Sequence, residues 1–181
     1  MRVIGGKYRN RRIDPPRAMH ARPTTDYAKE GLFNILQHKI PLEGIRVLDL
    51  FAGTGSISVE FLSRGASEVV SVEQDRTLTT HMERTRDRLS ENGWQVVRSD
   101  VFSYLQGRHG EFDIVFADPP FDLARTAELP GLVLDAGLVS ADGLLIVEHS
   151  KHLDLAALPA HQATRKYGMV HFSLFHPSLT R

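Results

Sequence analysis

The segment Asp49-Leu50-Phe51-Ala52-Gly53-Thr54-Gly55-Ser56 joins a predicted strand to a predicted helix. The apolar run 45–50 is typical of a buried strand, and residues 56–64 have the composition of a short helix that Gly65 ends. Gly53 and Gly55 permit a tight turn and let a ligand approach the backbone closely, just before a helix N-terminus. A plain strand-to-helix turn would carry the same glycines, so this segment alone identifies no ligand.

Working outward from this segment, strands and helices alternate along the chain. Strands are predicted at 45–50, 68–73, 95–98, 112–117, 144–148, 164–167 and 169–175, and helices at 26–38, 56–64, 75–91, 101–105 and 124–136. This alternation predicts an α/β fold with a mainly parallel sheet and helices on both faces. The last two strands turn at Gly168 and add an antiparallel strand near one edge. We expect one domain over residues 26–181, preceded by an N-terminal arm over residues 1–25.

Composition excludes several classes of protein. The 181 residues are 41% hydrophobic and 24% charged, as in ordinary globular domains. The absence of cysteine excludes a disulfide framework, a cysteine zinc site, an iron–sulfur cluster and a thiol nucleophile. No apolar run approaches the roughly 20 residues of a membrane span, and the N-terminus lacks the apolar centre of a signal peptide. We therefore expect a cytoplasmic protein without a membrane segment, with a monomer as the default state.

The formal net charge of zero conceals an uneven distribution. Residues 1–22 carry a charge of +6 and residues 23–181 a charge of −6. A basic arm on an acidic body is typical of proteins that bind phosphate, although a solvated tail would have the same composition. Short apolar runs at Val3-Ile4, Tyr8 and Ile13 surround Gly5-Gly6. This pattern favours a small β-hairpin over a floppy tail.

Acidic residues follow two further predicted strands. Glu73 ends the second strand and is placed to accept hydrogen bonds from ribose hydroxyls. Asp100, next to Val101, follows the third strand and is placed to accept a hydrogen bond from an adenine amine. Because the carboxyl ends of parallel strands share one edge of a sheet, these residues and the glycine loop outline a nucleoside pocket. A dinucleotide fingerprint would require glycine where Ser58 stands, and no phosphate-binding P-loop motif is present.

The fourth predicted strand runs into Asp118-Pro119-Pro120-Phe121. The prolines have no N–H and fix the backbone, so Asp118 and the carbonyl of Pro119 can accept both hydrogens of an exocyclic amine while Phe121 stacks on the base. Such hydrogen bonds localise the nitrogen lone pair for attack, and Asp118 can receive the released proton. A stiff turn with a capping aspartate is the structural alternative. We interpret the segment as a receptor for a planar amine.

These motifs together resemble a known family. The segment 49–55, Glu73 and the segment 118–121, in this order, resemble the S-adenosylmethionine-dependent amino-methyltransferases. Arg-Pro-Thr-Thr-Asp at 22–26, Leu-Phe-Asn at 32–34, Leu-Ser-Arg-Gly-Ala at 62–66 and Phe-Asp-Ile-Val-Phe at 112–116 extend the resemblance over essentially the whole chain, to the bacterial 16S ribosomal RNA guanine-N2 methyltransferase D family. One departure is Tyr27-Ala28-Lys29, where the family often carries an arginine-rich stretch.

The resemblance implies a Rossmann-like, seven-stranded methyltransferase sheet and transfer of a methyl group from S-adenosylmethionine, without a metal, to the N2 amine of one guanine in 16S RNA. A small-subunit particle is the implied partner. The implied cofactor residues are Thr24, Asp49, Ala52, Gly53, Gly55, Glu73, Asp100 and Val101; the implied catalytic residues are Asp118, Pro119, Pro120 and Phe121; the implied RNA-binding residues are Arg9, Arg11, Arg12, Arg17 and Arg22.

Other functions remain open at this stage. A methyltransferase acting on DNA adenine or protein glutamine would use the same 118–121 segment. A non-catalytic nucleic-acid-binding module or a nucleotide-dependent oxidoreductase would have no need for an amine receptor. The nine histidines, among them His149 and His152, lack acidic or cysteine partners at a familiar metal-binding spacing, so we expect them to serve in packing or at the surface.

Overall fold

The computed structural model describes residues 2–16 and 25–177. Seven strands form one sheet in the order β3-β2-β1-β4-β5-β7-β6. They are β1 (Arg46–Leu50), β2 (Glu68–Glu73), β3 (Trp94–Arg98), β4 (Phe112–Ala117), β5 (Val139–Ser150), β6 (His161–Tyr167) and β7 (Val170–Phe175). Strands β1 to β5 are parallel, and β7 lies antiparallel between β5 and β6. The predicted α/β fold class is confirmed.

Five α-helices accompany these strands in the described residues. They are α1 (Asp26–Gln37), α2 (Ser56–Ser63), α3 (Arg76–Leu89), α4 (Val101–Leu105) and α5 (Leu129–Asp135), and short 3-10 helices occupy Gly6–Tyr8 and Thr126–Glu128. Thr25 caps α1 and Asp75 caps α3, each accepting a backbone N–H three residues ahead. No described helix has both the length and the apolar composition that crossing a membrane requires.

The sheet is buried on both faces. Phe33, Phe61 and Met82, from the first three helices, pack on one face. Leu105 of α4 and Leu129 and Val133 of α5 pack on the other. The strand order reverses at β1, which pairs with β2 on one side and β4 on the other. In open α/β sheets ligands bind at the carboxyl ends of the strands beside such a reversal.

Two predicted elements differ from the structure. The helix expected over 124–136 is divided into the 3-10 turn and α5, with Pro130 in the first turn of α5. Proline has no N–H for a continuous helix and is tolerated only at a helix start. The strand expected over 144–148 extends over Val139–Ser150. Its polar start resembles a loop in sequence, but Val139 pairs with Phe112 across an irregularity in the register.

The N-terminal segment 2–16 does not form the predicted pair of strands. An isolated bridge joins Arg2 to Arg12, and the Gly6–Tyr8 turn lies between them. Two backbone hydrogen bonds close the loop, from Val3 N–H to Arg11 O (3.0 Å) and from Asn10 N–H to Val3 O (2.8 Å). The side chains of Val3 and Ile13 are buried in the core. The described part of the segment is therefore packed against the body.

A buried ion pair fixes this segment to the body. Lys29 Nζ lies 3.1 Å from Glu60 Oε1, and both side chains are almost completely buried. Lys29 also donates to the backbone oxygen of Arg2 (2.6 Å), and Glu60 accepts the backbone N–H of Ile4. A buried ion pair is tolerated only when further hydrogen bonds complete it, and here the N-terminal backbone supplies them. Lys29, in the stretch that departs from the family, is thus an internal anchor.

Candidate active site

The glycine loop lies between β1 and α2, at the carboxyl edge of the sheet. Gly55 has φ = 76°, and a Cβ on it would lie 2.8 Å from the Trp94 ring and 2.9 Å from Met82 Cγ. Only glycine fits there, because both the conformation and the close approach exclude a side chain. A Cβ on Gly53 would have no neighbour closer than 3.9 Å. The loop is therefore closed towards the core at Gly55 and open at Gly53.

Glu73, at the end of β2, holds this loop in place. Its Oε2 accepts the backbone N–H of Gly53 and its Oε1 accepts that of Asp75, both at 2.9 Å. The carboxylate thus ties the glycine loop to the start of α3. Each carboxylate oxygen has a second lone pair, so these bonds leave acceptor capacity for ribose hydroxyls. Glu73 lies beside the open face of the loop, as the sequence predicts.

Asp49 is buried beneath the loop, on the side that faces α2. Its carboxylate accepts a hydrogen bond from the Ser58 hydroxyl, Ser58 contacts Ser71 Oγ at 2.6 Å, and the Trp94 indole N–H donates to Ser71 at 2.8 Å. Burial raises the pKa of Asp49 to about 7 against the bond from Ser58, and the nearby charge of Asp118 adds to the rise. The sequence placed Asp49 at the cofactor site but did not predict this network. Its only signal is two serines in otherwise apolar elements.

Asp100 caps α4 by accepting the backbone N–H of Ser103 at 2.9 Å, and the Val101 side chain is buried. The carboxylate thus has a structural role that is compatible with a second acceptor bond. Beside it lies an aromatic pair that the sequence did not single out. The Phe102 ring packs edge-on against Phe51, and the Arg125 guanidinium lies 4.0 Å above it. These side chains form an amphipathic wall next to the predicted adenine position.

The segment 118–121 follows β4 directly. The backbone N–H of Asp118 donates to Leu50 O at 3.2 Å, which joins the start of this segment to the end of β1. Pro119 is buried and Pro120 is exposed. The Phe121 side chain is 56% exposed, which is unusual for phenylalanine. An anchored start followed by an exposed ring is the geometry that stacking on a base requires.

The structure therefore brings most of the predicted site residues to one edge of the sheet. The glycine loop follows β1, and the N–H of Ala52 in this loop donates to Val72 O of β2 at 3.0 Å. Glu73 lies beside the loop, and Asp118 follows the neighbouring strand β4. Within the described ranges, no group of three histidine, aspartate or glutamate side chains is placed to hold a metal ion.

The predicted RNA-binding residues are only partly described. Arg9, Arg11 and Arg12 are exposed on the N-terminal segment, and Arg11 lies over the Tyr8 ring at 5.2 Å. That segment bridges two helices. Arg2 lies 3.5 Å from Asp26 at the start of α1, and the backbone N–H of Tyr8 donates to Ser63 at the end of α2. The predicted positions Arg17, Arg22 and Thr24 lie outside the described residues.

Comparison with known proteins identifies the family. The family described as "Conserved hypothetical protein 95" matches residues 1–176. Ribosomal RNA small subunit methyltransferase D of Escherichia coli K12 is 34% identical over 160 residues, covering 88% of this chain and 80% of its own. A solved E. coli structure described as a methyltransferase superposes with a TM-score of 0.84 at 31% identity, covering 97% of this chain and 96% of its own.

A more distant structure shares the fold alone. An RNA methyltransferase from Salinibacter ruber, solved in complex with S-adenosyl-L-homocysteine, has a TM-score of 0.66 at 13% identity and covers 84% of this chain and 92% of its own. The sequence match over nearly the full chain and the similarity in fold agree with each other. The chain belongs to the family of ribosomal RNA small subunit methyltransferase D.

Proposed function

We propose that this protein transfers a methyl group from S-adenosylmethionine to the exocyclic N2 amine of a guanine in small-subunit ribosomal RNA, in the cytoplasm. One observation carries the proposal. The amine receptor at 118–121 starts from a backbone hydrogen bond to the end of β1, the strand that leads into the glycine loop. A methyl donor on the loop and an acceptor amine on the receptor would therefore meet across one pair of neighbouring strands.

The residues present fit the cofactor. Gly53 leaves open space above the loop, and the Glu73 carboxylate lies beside it with acceptor capacity for a ribose. Asp100 and Val101 would flank the adenine, and the Asp49 network supports the loop from below. S-adenosylmethionine, when bound, supplies a methyl group on a sulfonium that departs as a neutral thioether. The methyltransferase D relatives and the fold support this choice.

The receptor residues do the rest of the chemistry. An exocyclic amine is a poor nucleophile because its lone pair is delocalised into the ring. Asp118 and the Pro119 carbonyl accept the two N–H hydrogens, which favours a tetrahedral nitrogen and frees the lone pair for attack. Asp118 then accepts the proton that the nitrogen loses. Phe121 stacks on the base, which must be unpaired or flipped out of its helix to arrive there.

The exposed arginines of the N-terminal segment supply the RNA contact in this proposal. Backbone groups and the side chains of Lys7 and Tyr8 anchor the segment, so the exposed side chains of Arg9, Arg11 and Arg12 remain available for phosphates. We expect Arg11→Ala/Arg12→Ala to weaken RNA binding. The slope of the logarithm of the binding constant against the logarithm of the salt concentration should become shallower by up to about two. Cofactor affinity should not change. Equal losses of both affinities would show instead that these side chains are structural.

The test of the proposed function identifies the product. The protein is incubated with labelled S-adenosylmethionine and small ribosomal subunits from a strain that lacks the modification, and the labelled nucleoside is isolated. N2-methylguanosine in 16S RNA is the expected result. Label in DNA adenine or in protein would contradict the proposed substrate and keep the fold and the Asp118 chemistry. Binding of the cofactor without transfer to any of these substrates would contradict the proposal as a whole.

A further inference from the structure

A second acidic residue, Glu148 on β5, lies next to the amine receptor. Ala117 pairs with Val147 in the parallel register of β4 and β5, so Asp118 and Glu148 each lie one residue further along neighbouring strands. The Glu148 side chain is only 3% exposed. It lines a small pocket together with Pro119, Pro120 and Phe121 of the receptor.

The fold keeps this carboxylate in an otherwise apolar position. Glu148 ends the run Leu144-Leu145-Ile146-Val147, and its partner on β7 is the buried Phe172. An ionised carboxylate at such a position needs polar partners, and its two oxygens have lone pairs for more than one of them. Glu148 lies in the wall of the pocket that Pro119, Pro120 and Phe121 also line, so it can serve a base that the receptor holds.

Two neighbouring carboxylates distinguish between the base amines. Ionised carboxylates only accept hydrogen bonds. In guanine the N2 amine lies beside N1–H, so the edge presents donors side by side. In adenine and cytosine the exocyclic amine lies beside a ring nitrogen that is itself an acceptor, and a second carboxylate would repel it. Of these three bases, only guanine presents two adjacent N–H donors to this pair of carboxylates.

We propose that Glu148 accepts the N1–H of the target guanine while Asp118 accepts a hydrogen of its N2 amine. Glu148 is then the residue that selects guanine. This inference rests on the proposed function and names the recognition element of the same site. It also explains how a 118–121 receptor, which would suit any exocyclic amine, acquires a preference for one base.

The experiment compares guanine with 2-aminopurine, which keeps the N2 amine but has an acceptor at N1. Small-subunit particles are reconstituted with 16S RNA that carries either base at the methylated position. We expect wild-type protein to prefer guanine by at least about 100-fold in kcat/KM, because a carboxylate opposite an acceptor is repulsive. In Glu148→Gln the amide N–H₂ can donate to N1 of 2-aminopurine, so the preference should shrink at least about tenfold.

Controls separate recognition from folding. Asp142→Asn, on the same strand at its opposite, exposed end, should keep the wild-type preference. Cofactor affinity of Glu148→Gln, measured by calorimetry, should match that of wild type. Equal methylation of both bases by wild-type protein would overturn the role of Glu148. This test requires no variant and so does not depend on whether Glu148→Gln folds. An unchanged base preference in a folded Glu148→Gln would overturn it as well. Absence of N2 methylation of guanine by wild type would instead contradict the proposed function.

Discussion

The two halves of the carboxyl edge are built differently. At the ends of β1 to β3, the acidic side chains serve the fold: Glu73 bonds two backbone N–H groups, Asp100 caps α4 and Asp49 bonds Ser58. Beyond β4, the segment 118–121 carries an exposed ring. The first half thus combines support of the backbone with the predicted cofactor contacts. Substitutions in the first half should lower both the free energy of unfolding and the affinity for the cofactor. Substitutions in the second half should lower the rate of methyl transfer alone.

The largest effect on transfer is expected for Asp118→Ala. Loss of the amine acceptor and proton acceptor should lower the single-turnover rate by about 10³-fold or more. Cofactor affinity, measured by calorimetry, should stay within a few-fold of wild type. A variant that retains its turnover would contradict the role of Asp118 and remove the contrast between the two halves.

A smaller effect, with two components, is expected for Glu73→Ala. The change leaves the N–H groups of Gly53 and Asp75 without their acceptor, so cofactor affinity should fall by about 100-fold and the free energy of unfolding by about 1–3 kcal/mol.

Asp75→Ala is the matched control for Glu73. Asp75 caps α3 through its side chain, so its loss should cost about 1 kcal/mol of stability with little change in cofactor affinity. Calorimetry and urea unfolding measure the two quantities separately. Equal losses of cofactor affinity in the two variants would show that Glu73 acts through helix α3 alone.

Phe121→Ala should reduce transfer without reducing stability. Stacking of a base on an aromatic ring contributes about 1–3 kcal/mol, so kcat/KM for RNA should fall about 10-fold to 100-fold. The unfolding free energy should change by less than about 0.5 kcal/mol, since the ring is exposed. Met169→Ala, at an equally exposed apolar position in the β6–β7 turn, should change neither quantity. A loss of stability in Phe121→Ala would show that the ring packs against the protein and does not stack on a base.

The smallest effect on transfer is expected for Asp49→Asn. This variant tests the first half of the edge through the pH dependence of the free energy of unfolding. Burial raises the pKa of Asp49 from its ordinary value of about 4 to about 7, so the folded chain holds this proton more tightly than the unfolded chain. That contribution is complete below pH 4 and is lost as the pH rises through 7. Wild-type stability should therefore fall by roughly 2–4 kcal/mol over this range relative to Asp49→Asn. Parallel pH profiles from urea unfolding would contradict the raised pKa.

Local patterns predicted the elements that are continuous and buried. The runs 68–73, 101–105 and 112–117 form strands and a helix with the predicted bounds. The glycine loop and the acidic residues after β2 and β4 also reach one edge, because parallel strands place their carboxyl ends together. The sequence therefore predicted the sheet and the edge at which these candidate residues meet.

Contacts between distant residues could not be predicted in this way. Lys29 and Glu60 form their ion pair across 31 positions, and Ser71 meets Trp94 across 23. Neither pair follows a helical or strand period, so only the folded chain reveals it. Glu148 did give a signal, since it is the one acidic residue of the predicted strand 144–148, which is otherwise apolar. Its meaning depended on the register between β4 and β5, which the sequence does not specify.

The docking of the N-terminal segment has a consequence for how this protein can evolve. Backbone groups of the segment make four of the bonds that fix it to the body, through Arg2 O, Ile4 N–H, Gly5 O and Tyr8 N–H. The side chains of Arg2, Lys7 and Tyr8 add ion pairs and hydrogen bonds. The path of the segment is thus fixed by its backbone, by the buried side chains of Val3 and Ile13 and by these few polar contacts, and not by its exposed arginines at positions 9 and 11. Basic residues such as Arg9 and Arg11 can be exchanged, gained or lost without loosening it. If these arginines make the proposed RNA contact, single substitutions at their positions change the strength of that contact and leave the fold intact.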